Sequence, residues 1–406
     1  MIRRDEVAWL CRLFVALCLI ITPTMLSSGA LAGEGDKKPV IIGFDAEAGH
    51  TTSTSDDAIR MGILTAIQEI NAAGGVLGGR PLELVIKDHR SVPARGVKNI
   101  EEFAEIPELV AVVGGKFSPV LQEEVPILHE KKVIMLDAWG AADNIVDNGR
   151  NPNFCFRLSL KDSWAIQSML AHAAGKKAHR IGVLLPTTGW GRSCEKAIKN
   201  YLANHSEMSV TTTQWYMWGD KSLLDKYEAA LSTGSEAILL VANEAEGSIL
   251  VKEVAALPPD KRLPIISHWG VTGGNFVKMT GEAIQQLDFS VVQTYSFFDN
   301  RRQPQLARFY KTAGELFGIK RPEDIPSPVG MAHAYDLTHI LALAVSKAGT
   351  TDRSKVRDAL EQVRNHEGLI KFYPQPFTPD RHEALQPEDL FMGSFRSDGA
   401  ILRIQK

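Results

Sequence analysis

Residues 110–119 read Val110-Ala111-Val112-Val113-Gly114-Gly115-Lys116-Phe117-Ser118-Pro119, and this stretch carries the local pattern that decides the fold. Its first four residues are apolar and mostly β-branched, which predicts a short buried strand. The two glycines allow a tight turn, and proline is favoured at the first position of a helix. We therefore expect a strand over 110–113, followed directly by a helix over 119–130.

The same alternation of strand and helix extends in both directions. Further strands are predicted at 40–44, 82–86, 133–136, 180–185, 210–216, 237–241, 264–267 and 289–295. Further helices are predicted between Ser55 and Gly74 and at 94–105, 163–174, 192–203, 222–232, 246–256, 304–317 and 331–348. Buried strands separated by helices indicate a parallel, doubly wound sheet. A loop rich in Asn, Gly and Pro at 148–153 interrupts the pattern, which then restarts, so we predict an α/β protein with two such lobes.

Length and charge agree with this class. The chain has 406 residues, of which 44% are hydrophobic and 23% are charged. This length exceeds the roughly 100–200 residues of an ordinary domain, as expected for two folded lobes. The formal net charge is −3, so the basic surface that binds nucleic acid is missing. We expect no nucleic-acid partner.

The N-terminus has the features of an export signal. Three arginines, Arg3, Arg4 and Arg12, precede an apolar run at 13–26, and Ala30-Leu31-Ala32 matches the small-residue pattern cut by signal peptidase. The run is shorter than the ~20 residues of a membrane-spanning helix. We expect a signal peptide at residues 1–32, cleaved after Ala32, and an exported protein; a buried helix or a retained anchor is the alternative.

Two of the four cysteines lie within the expected signal peptide. Cys155 and Cys194 remain, and an oxidising compartment permits a disulfide between them. Two buried, unpaired thiols are an equally good interpretation.

The common catalytic, cofactor and metal motifs are missing. The nearest approach to G-x-G-x-x-G, at residues 189–194, lacks the third glycine, and residues 114–118 lack two features of a phosphate-binding loop. No His-Glu pair completes H-E-x-x-H, and two widely spaced cysteines are no zinc motif. We expect no enzyme activity, no cofactor and no metal.

Ser118 and Lys116 form a candidate anion site. Ser118 lies at the predicted start of a helix, where free N–H groups and the positive end of the helix attract a carboxylate or phosphate, and Lys116 adds charge. The alternative is that Ser118 only caps its helix.

Three tryptophans follow predicted strands directly, namely Trp139, Trp190 and Trp269. Ligands of open parallel sheets bind at the carboxyl ends of the strands. We interpret these indoles as a stacking or cation–π wall of a ligand site, although packing in the core remains the alternative for each of them.

The sequence resembles the Leu/Ile/Val-type periplasmic binding proteins, the solute receptors of ABC importers. The segments that carry the resemblance are Ile42-Gly43, residues 70–75, residues 79–88, residues 111–114 with Ser118, Phe156-Arg157, Trp190-Gly191 and Ala334-Tyr335-Asp336. The resemblance implies a periplasmic, monomeric protein of the type I fold, with two lobes that close on a small molecule and then meet a membrane permease.

It also implies that three segments cross between the lobes, here near 155–159, 282–288 and 367–372. The first lobe would then contain residues 33–155 with 288–367. The second lobe would contain residues 156–287 with 368–406.

By the same resemblance, Ser118 receives the ligand carboxylate, Trp139 and Ala141 occupy the second ligand loop, and Trp190 covers the ligand from the second lobe. The acidic residue that meets the ligand ammonium in the family is replaced by Trp269. A buried ammonium needs a counter-charge. Asp137, Glu244 or Asp45 would have to supply it.

These expectations favour a receptor for a branched-chain or hydrophobic amino acid in an ABC-type transport system. The missing acid and the tryptophans favour the alternative, a receptor for an aromatic or other organic acid or an amide on the same fold. An exported α/β enzyme is a third hypothesis, with little support from motifs.

Overall fold

The computed structural model describes residues 37–47, 54–298 and 302–405. The expected signal peptide and its cleavage point therefore lie outside the described residues. Among the residues that are described, none of the helices combines the length and the apolar character that a membrane crossing requires.

The first sheet has five parallel strands in the order β2-β1-β3-β4-β5. They are β1 (Val40–Ala46), β2 (Leu82–Asp88), β3 (Leu109–Gly114), β4 (Met135–Asp137) and β5 (Cys155–Arg157). Helices α1 (Ser55–Ala72), α2 (Pro93–Ala104) and α3 (Ser118–Glu130) connect successive strands. We call this sheet and the helices that pack on it the first lobe.

The second sheet has seven strands in the order β14-β13-β10-β9-β8-β6-β7. They are β6 (Arg180–Pro186), β7 (Ser209–Tyr216), β8 (Ala237–Leu240), β9 (Ile265–Ser267), β10 (Phe289–Gln293), β13 (Phe391–Phe395) and β14 (Ile401–Arg403). The first five pair in parallel, and β13 and β14 form an antiparallel edge. Its helices are α4 (Asp162–Gly175), α5 (Gly189–Leu202), α6 (Leu224–Ser232), α7 (Glu244–Ala255) and α8 (Phe276–Thr280). This is the second lobe.

A late part of the chain returns to complete the first lobe. It comprises α9 (Gln303–Phe317), α10 (Pro328–Ala348), α11 (Arg353–Leu360) and the short pair β11 (His366–Glu367) and β12 (Phe372–Tyr373). Helix α10 packs along α1, where a Cβ on Gly62 would lie 2.3 Å from the carbonyl oxygen of Met331. The Tyr335 hydroxyl donates to Glu69 at 2.6 Å. Glycine thus permits the close approach of these two helices.

The predicted fold class, two α/β lobes with parallel sheets, is confirmed, and the chain passes between the sheets three times. The first passage follows β5, because α4 packs against strands of the second sheet. The second lies between β10 of the second sheet and α9, which packs on α1. The third follows β12 and ends at β13.

The first crossing lies within the expected 155–159, but the sheet to which a segment belongs differs from the expected lobe boundaries at three places. Phe156 and Arg157 belong to β5 of the first sheet, and residues 289–293 pair within the second sheet, so the crossing expected at 282–288 follows Gln293. The crossing expected at 367–372 lies later, because Leu369 and Tyr373 bond to Asp336 of α10. An apolar run predicts that a strand forms, but it does not show which strands it pairs with, and the pairing decides the lobe.

Candidate functional site

Loops at the carboxyl ends of parallel strands from both lobes meet around one small cavity. Six of the eight predicted site residues line it, and the missing two are Asp137 and Glu244. The lining residues are Lys116, Phe117, Ser118, Pro119, Trp139, Ala141, Trp190, Trp218, Asn243, Trp269 and Gly270. This is the location where open parallel sheets bind ligands.

The cavity has a volume of about 10 Å³. Sites for small molecules usually enclose about 300–1,000 Å³. The side chains of the two lobes thus meet where a solute would lie, so the lobes must separate before a solute can enter.

Five of the eleven lining residues are aromatic, and both lobes contribute them. Trp139 and Trp269 pack with ring centroids 5.3 Å apart and planes tilted by 36°. Phe117 and Trp218 meet edge to face at 5.4 Å. Such rings bury a large apolar surface and favour flat or branched apolar groups. The wall suits an apolar solute.

Contacts within the second lobe fix the orientation of Trp190. Its indole N–H donates to Asp162 at 3.1 Å, and its ring meets the His268 imidazole edge to face at 5.1 Å. A Cβ on Gly270 would lie 2.6 Å from the indole, so glycine is needed for this packing. Trp190 therefore has one defined orientation at the cavity.

Ser118 does not cap its own helix, so the alternative interpretation of this residue is not what the structure shows. Helix α3 begins at Ser118, and its N-cap, Phe117, makes no side-chain cap bond. The Ser118 hydroxyl instead accepts the backbone N–H groups of Ala141 at 3.0 Å and Ala142 at 3.3 Å. These bonds join the two loops of the first lobe that the resemblance assigns to the solute carboxylate.

A buried ion pair connects the lobes beside the cavity. The Lys116 ammonium lies 2.9 Å from both carboxylate oxygens of Glu244, the first residue of α7. The two side chains are only 3% and 5% exposed. The Lys116 backbone N–H donates to Asp56 at 2.8 Å. A cation of the first lobe and an anion of the second thus neutralise each other at the cleft.

Of the three carboxylates expected to meet a ligand ammonium, only Glu244 lies at the cleft. Asp45 accepts from Asn99 at 2.6 Å and faces α2 and α3, and Asp137 lies 3.7 Å from Arg157 beneath the loop. Both carboxyl groups are fully buried away from the cavity lining. The structure therefore places Asp45 and Asp137 away from the cavity, and only Glu244 forms an ion pair with a residue that lines it.

Asp137 instead makes the stability of the protein depend on pH. Burial raises the pKa of Asp137 to about 7, against the opposing influence of Arg157. A raised pKa in the folded state means that folding takes up a proton. The stabilisation that Asp137 contributes is therefore complete below about pH 4 and is lost as the pH rises through 7.

We expect Asp137→Asn to flatten the decline of stability between pH 4 and 7 by up to about 1.4 kcal/mol per pH unit. The Trp139 N–H, 3.0 Å from the carboxylate, keeps an acceptor in the variant. Urea unfolding at a series of pH values measures the slope. Asp57→Asn is the matched control, because the Asp57 side chain is 47% exposed. If the free energy of unfolding depends on pH in the same way for wild type and Asp137→Asn, the role assigned to Asp137 is contradicted.

Sequence reasoning missed Phe117, Trp218 and Asn243. Trp218 follows the end of β7 by two residues and so carries the signal that identified the other tryptophans. Asn243 precedes α7 in the same way after β8. Phe117 stands between two predicted residues, but no feature of its own marked it.

Cys155 and Cys194 are unpaired and buried, so the disulfide interpretation is wrong. Cys155 lies in β5 of the first sheet, whereas Cys194 lies in α5 of the second lobe. Burial raises the pKa of the Cys194 thiol well above its ordinary value.

Two lobes that meet at a cleft lined by strand-end loops define a solute receptor of the binding-protein class. The family model described as periplasmic binding protein matches residues 39–400. The chain belongs to this family, whose members bind solutes.

Individual relatives are distant in sequence and similar in fold. The leucine-, isoleucine-, valine-, threonine- and alanine-binding protein of Pseudomonas aeruginosa is 23% identical over 310 residues, which are 75% of this chain and 77% of the relative. A type 1 periplasmic binding protein from Bordetella pertussis Tohama I superposes with a TM-score of 0.80 at 19% identity, covering 90% of this chain and 100% of that one. An ABC-transporter solute-binding protein from R. palustris in complex with benzoate superposes with a TM-score of 0.75 at 16% identity, covering 90% of this chain and 95% of that one.

Proposed function

We propose that this chain is the periplasmic solute-binding component of an ABC-type import system for a hydrophobic amino acid. The observation that carries the proposal is the ion pair of Lys116 and Glu244 beside a wall of indoles. A hydrophobic amino acid carries a carboxylate, an ammonium and an apolar side chain. The cleft offers a cation, an anion and an apolar wall, which can bind these three groups respectively.

Opening of the lobes would break the ion pair, and closure on a bound solute would replace it by two contacts with the solute. The solute carboxylate binds Lys116 and the loops joined by Ser118 in the first lobe, and its ammonium binds Glu244 in the second. Both buried charges then keep a partner, which is required because an unpaired buried charge is strongly destabilising. The apolar side chain of the solute lies against Trp139, Trp190 and Trp269. The name of the Pseudomonas aeruginosa relative supports this class of solute.

The wider proposal follows the family. Residues 1–32 act as a cleaved signal peptide, the mature chain begins at Gly33, and the protein acts as a monomer that presents its two closed lobes to a membrane permease. The chain carries no enzymatic step in this scheme.

A second candidate is an aromatic acid or amide. The four indoles of the cavity and the benzoate complex of the R. palustris protein favour it. Such a solute has no ammonium, so Glu244 would have no group to bind and would compete with the solute for Lys116.

Glu244→Gln separates the two candidates, because its effect has opposite signs. For an amino acid, we expect the affinity to fall by at least about 30-fold, since the ammonium loses its only charged partner. For an aromatic acid, the affinity is expected to rise, since the solute carboxylate then has Lys116 to itself. Thermal shifts with a panel of amino acids and aromatic acids identify the binder, and calorimetric titration gives the affinities.

Glu246→Gln is the matched control. Glu246 lies on the same turn of α7 and is also buried, but it accepts the Gly219 N–H at 2.9 Å and does not contact Lys116. A glutamine oxygen can accept that bond, so solute affinity should not change. No thermal shift with any amino acid would overturn the first candidate.

A further inference from the structure

A second cluster of reactive side chains lies in the second lobe, behind the wall of the cleft. It consists of Asp162, Cys194 and His268, and one potential ligand atom of each lies within 4.8 Å of the other two. All three residues are fully buried. A carboxylate, a thiol and an imidazole are each costly to bury without a partner, so their burial at one point needs a physical explanation.

Three separate elements bring these groups together. Asp162 is the first residue of α4, Cys194 lies within α5, and His268 directly follows β9. The backbone of His268 is fixed by its N–H, which donates to Leu240 at 2.8 Å. The Asp162 N–H donates to Ala141 at 2.7 Å. The cluster is therefore built on rigid parts of the fold.

The polar atoms of the cluster are incompletely satisfied. The second carboxylate oxygen of Asp162 and both ring nitrogens of His268 are buried without a hydrogen-bond partner. The His268 Nε2 atom lies 3.2 Å from Asp162, but it is not aligned for a hydrogen bond. Buried polar atoms normally have partners. The Cys194 thiol can donate to Asp162, but no described residue bonds to the His268 ring nitrogens, which points to a bound group beside them.

We propose that Asp162, Cys194 and His268 bind one divalent cation of the zinc type. Carboxylate oxygen, thiolate sulfur and imidazole nitrogen are all ligands of Zn²⁺, at about 2.0–2.3 Å from the metal. Ligand atoms of such a site lie about 3–4 Å apart, so small side-chain movements bring the present cluster to that spacing. The second Asp162 oxygen or a water completes four-fold coordination.

The charges of the proposed site balance. One carboxylate, one thiolate and one neutral imidazole carry two negative charges, which the cation neutralises. The thiol gives up its proton on metal binding, as coordinating thiols do. A neutral site is the form that a fully buried position of this kind can tolerate.

The cation would also position the wall of the solute cleft. The Trp190 N–H donates to Asp162, and the Trp190 ring packs on His268, so two of the three metal ligands hold this indole. A hydrogen bond from a neighbouring group to a metal-binding carboxylate is the usual support of such a ligand. Trp190 is therefore a direct reporter of the site.

The test uses the full chain without a histidine tag, unfolded in chelator and refolded with Zn²⁺ or Co²⁺, because the buried site must fill during folding. We expect one Zn²⁺ per chain after gel filtration. Cys194→Ser should lower the affinity by more than about 100-fold, beyond the usual effect of a residue that only supports a ligand. Cys155→Ser, which removes the other buried thiol, should bind as wild type does.

Cobalt provides a readout that does not require Cys194→Ser to fold. In a chain with Cys11, Cys18 and Cys155 all replaced by serine, Cys194 is the only thiol. A thiolate-to-cobalt absorption band and quenching of tryptophan fluorescence are expected in that chain, and both should disappear with His268→Gln. Less than one metal per chain, no thiolate band, or a band that survives His268→Gln would overturn the proposal.

Discussion

Replacing Arg157 by leucine is expected to lower the free energy of unfolding by about 3–5 kcal/mol, the usual effect of removing one partner from a buried ion pair. The guanidinium is fully buried at the end of β5 and lies 2.8 Å from Glu383. It also donates to the carbonyl oxygens of Gly140 and Ala142, at 3.0 Å each. The variant leaves a carboxylate and two carbonyl groups buried without their donor.

The position of Arg157 in the fold enlarges this effect. Glu383 lies in the third crossing between the lobes, and Arg157 immediately precedes the first, so the ion pair joins two crossings. The carbonyls it binds belong to the loop that carries Trp139 and Ala141. Solute binding should therefore weaken together with stability.

Urea unfolding followed by circular dichroism measures the change. Arg396→Leu is the matched control, because it removes an arginine from an ion pair with Asp398 at the surface and should change the free energy of unfolding far less. Arg157→Lys keeps the charge but loses the planar fork of donors, so an intermediate value is expected. Equal unfolding midpoints for Arg157→Leu and Arg396→Leu would contradict the role assigned to this network.

Lys116→Met is expected to open the solute-free protein. In the closed form, Glu244 would be buried without a counter-charge, which disfavours closure by about 3–5 kcal/mol, or roughly 160- to 5,000-fold in the closed-to-open ratio. Small-angle X-ray scattering should report a larger radius of gyration than for the wild type.

A double variant tests whether charge is the cause. Lys116→Met with Glu244→Leu replaces the pair by apolar groups of similar size, a change that is often neutral in buried positions, so the compact radius should return. Lys176→Met removes a lysine from a surface pair with Asp288 within the second lobe and should leave the radius unchanged. A single radius for all four proteins would show that the pair does not hold the lobes together.

The local fold could be predicted from the sequence, because strands and helices leave periodic patterns. The runs at 110–113 and 289–295 look alike, however, although they lie in different sheets. Nothing local distinguishes them, since the sheet of each strand is set by the strands it pairs with, β1 and β4 for the first run and β9 and β13 for the second. The second and third crossings therefore lie at positions that differ from those expected.

The candidate site was predictable to the extent that strand ends mark it. That rule identified Trp139, Trp190 and Trp269, and applied to β7 it would have found Trp218 as well. The direction in which a side chain points could not be predicted. Asp137 is the last residue of β4 and Asp45 is the last but one of β1, yet both turn toward the interior of the first lobe.

The return of α10 to the first lobe constrains the order in which the chain can fold. The bond of Glu69 to Tyr335 joins residues 266 positions apart, and the close contact at Gly62 needs Met331. Contacts of such sequence separation make folding slow, because a long loop must close before they form. Helix α1 cannot bury this surface until residues 328–348 have been made. An element near the start of the described chain is thus among the last to acquire its native packing.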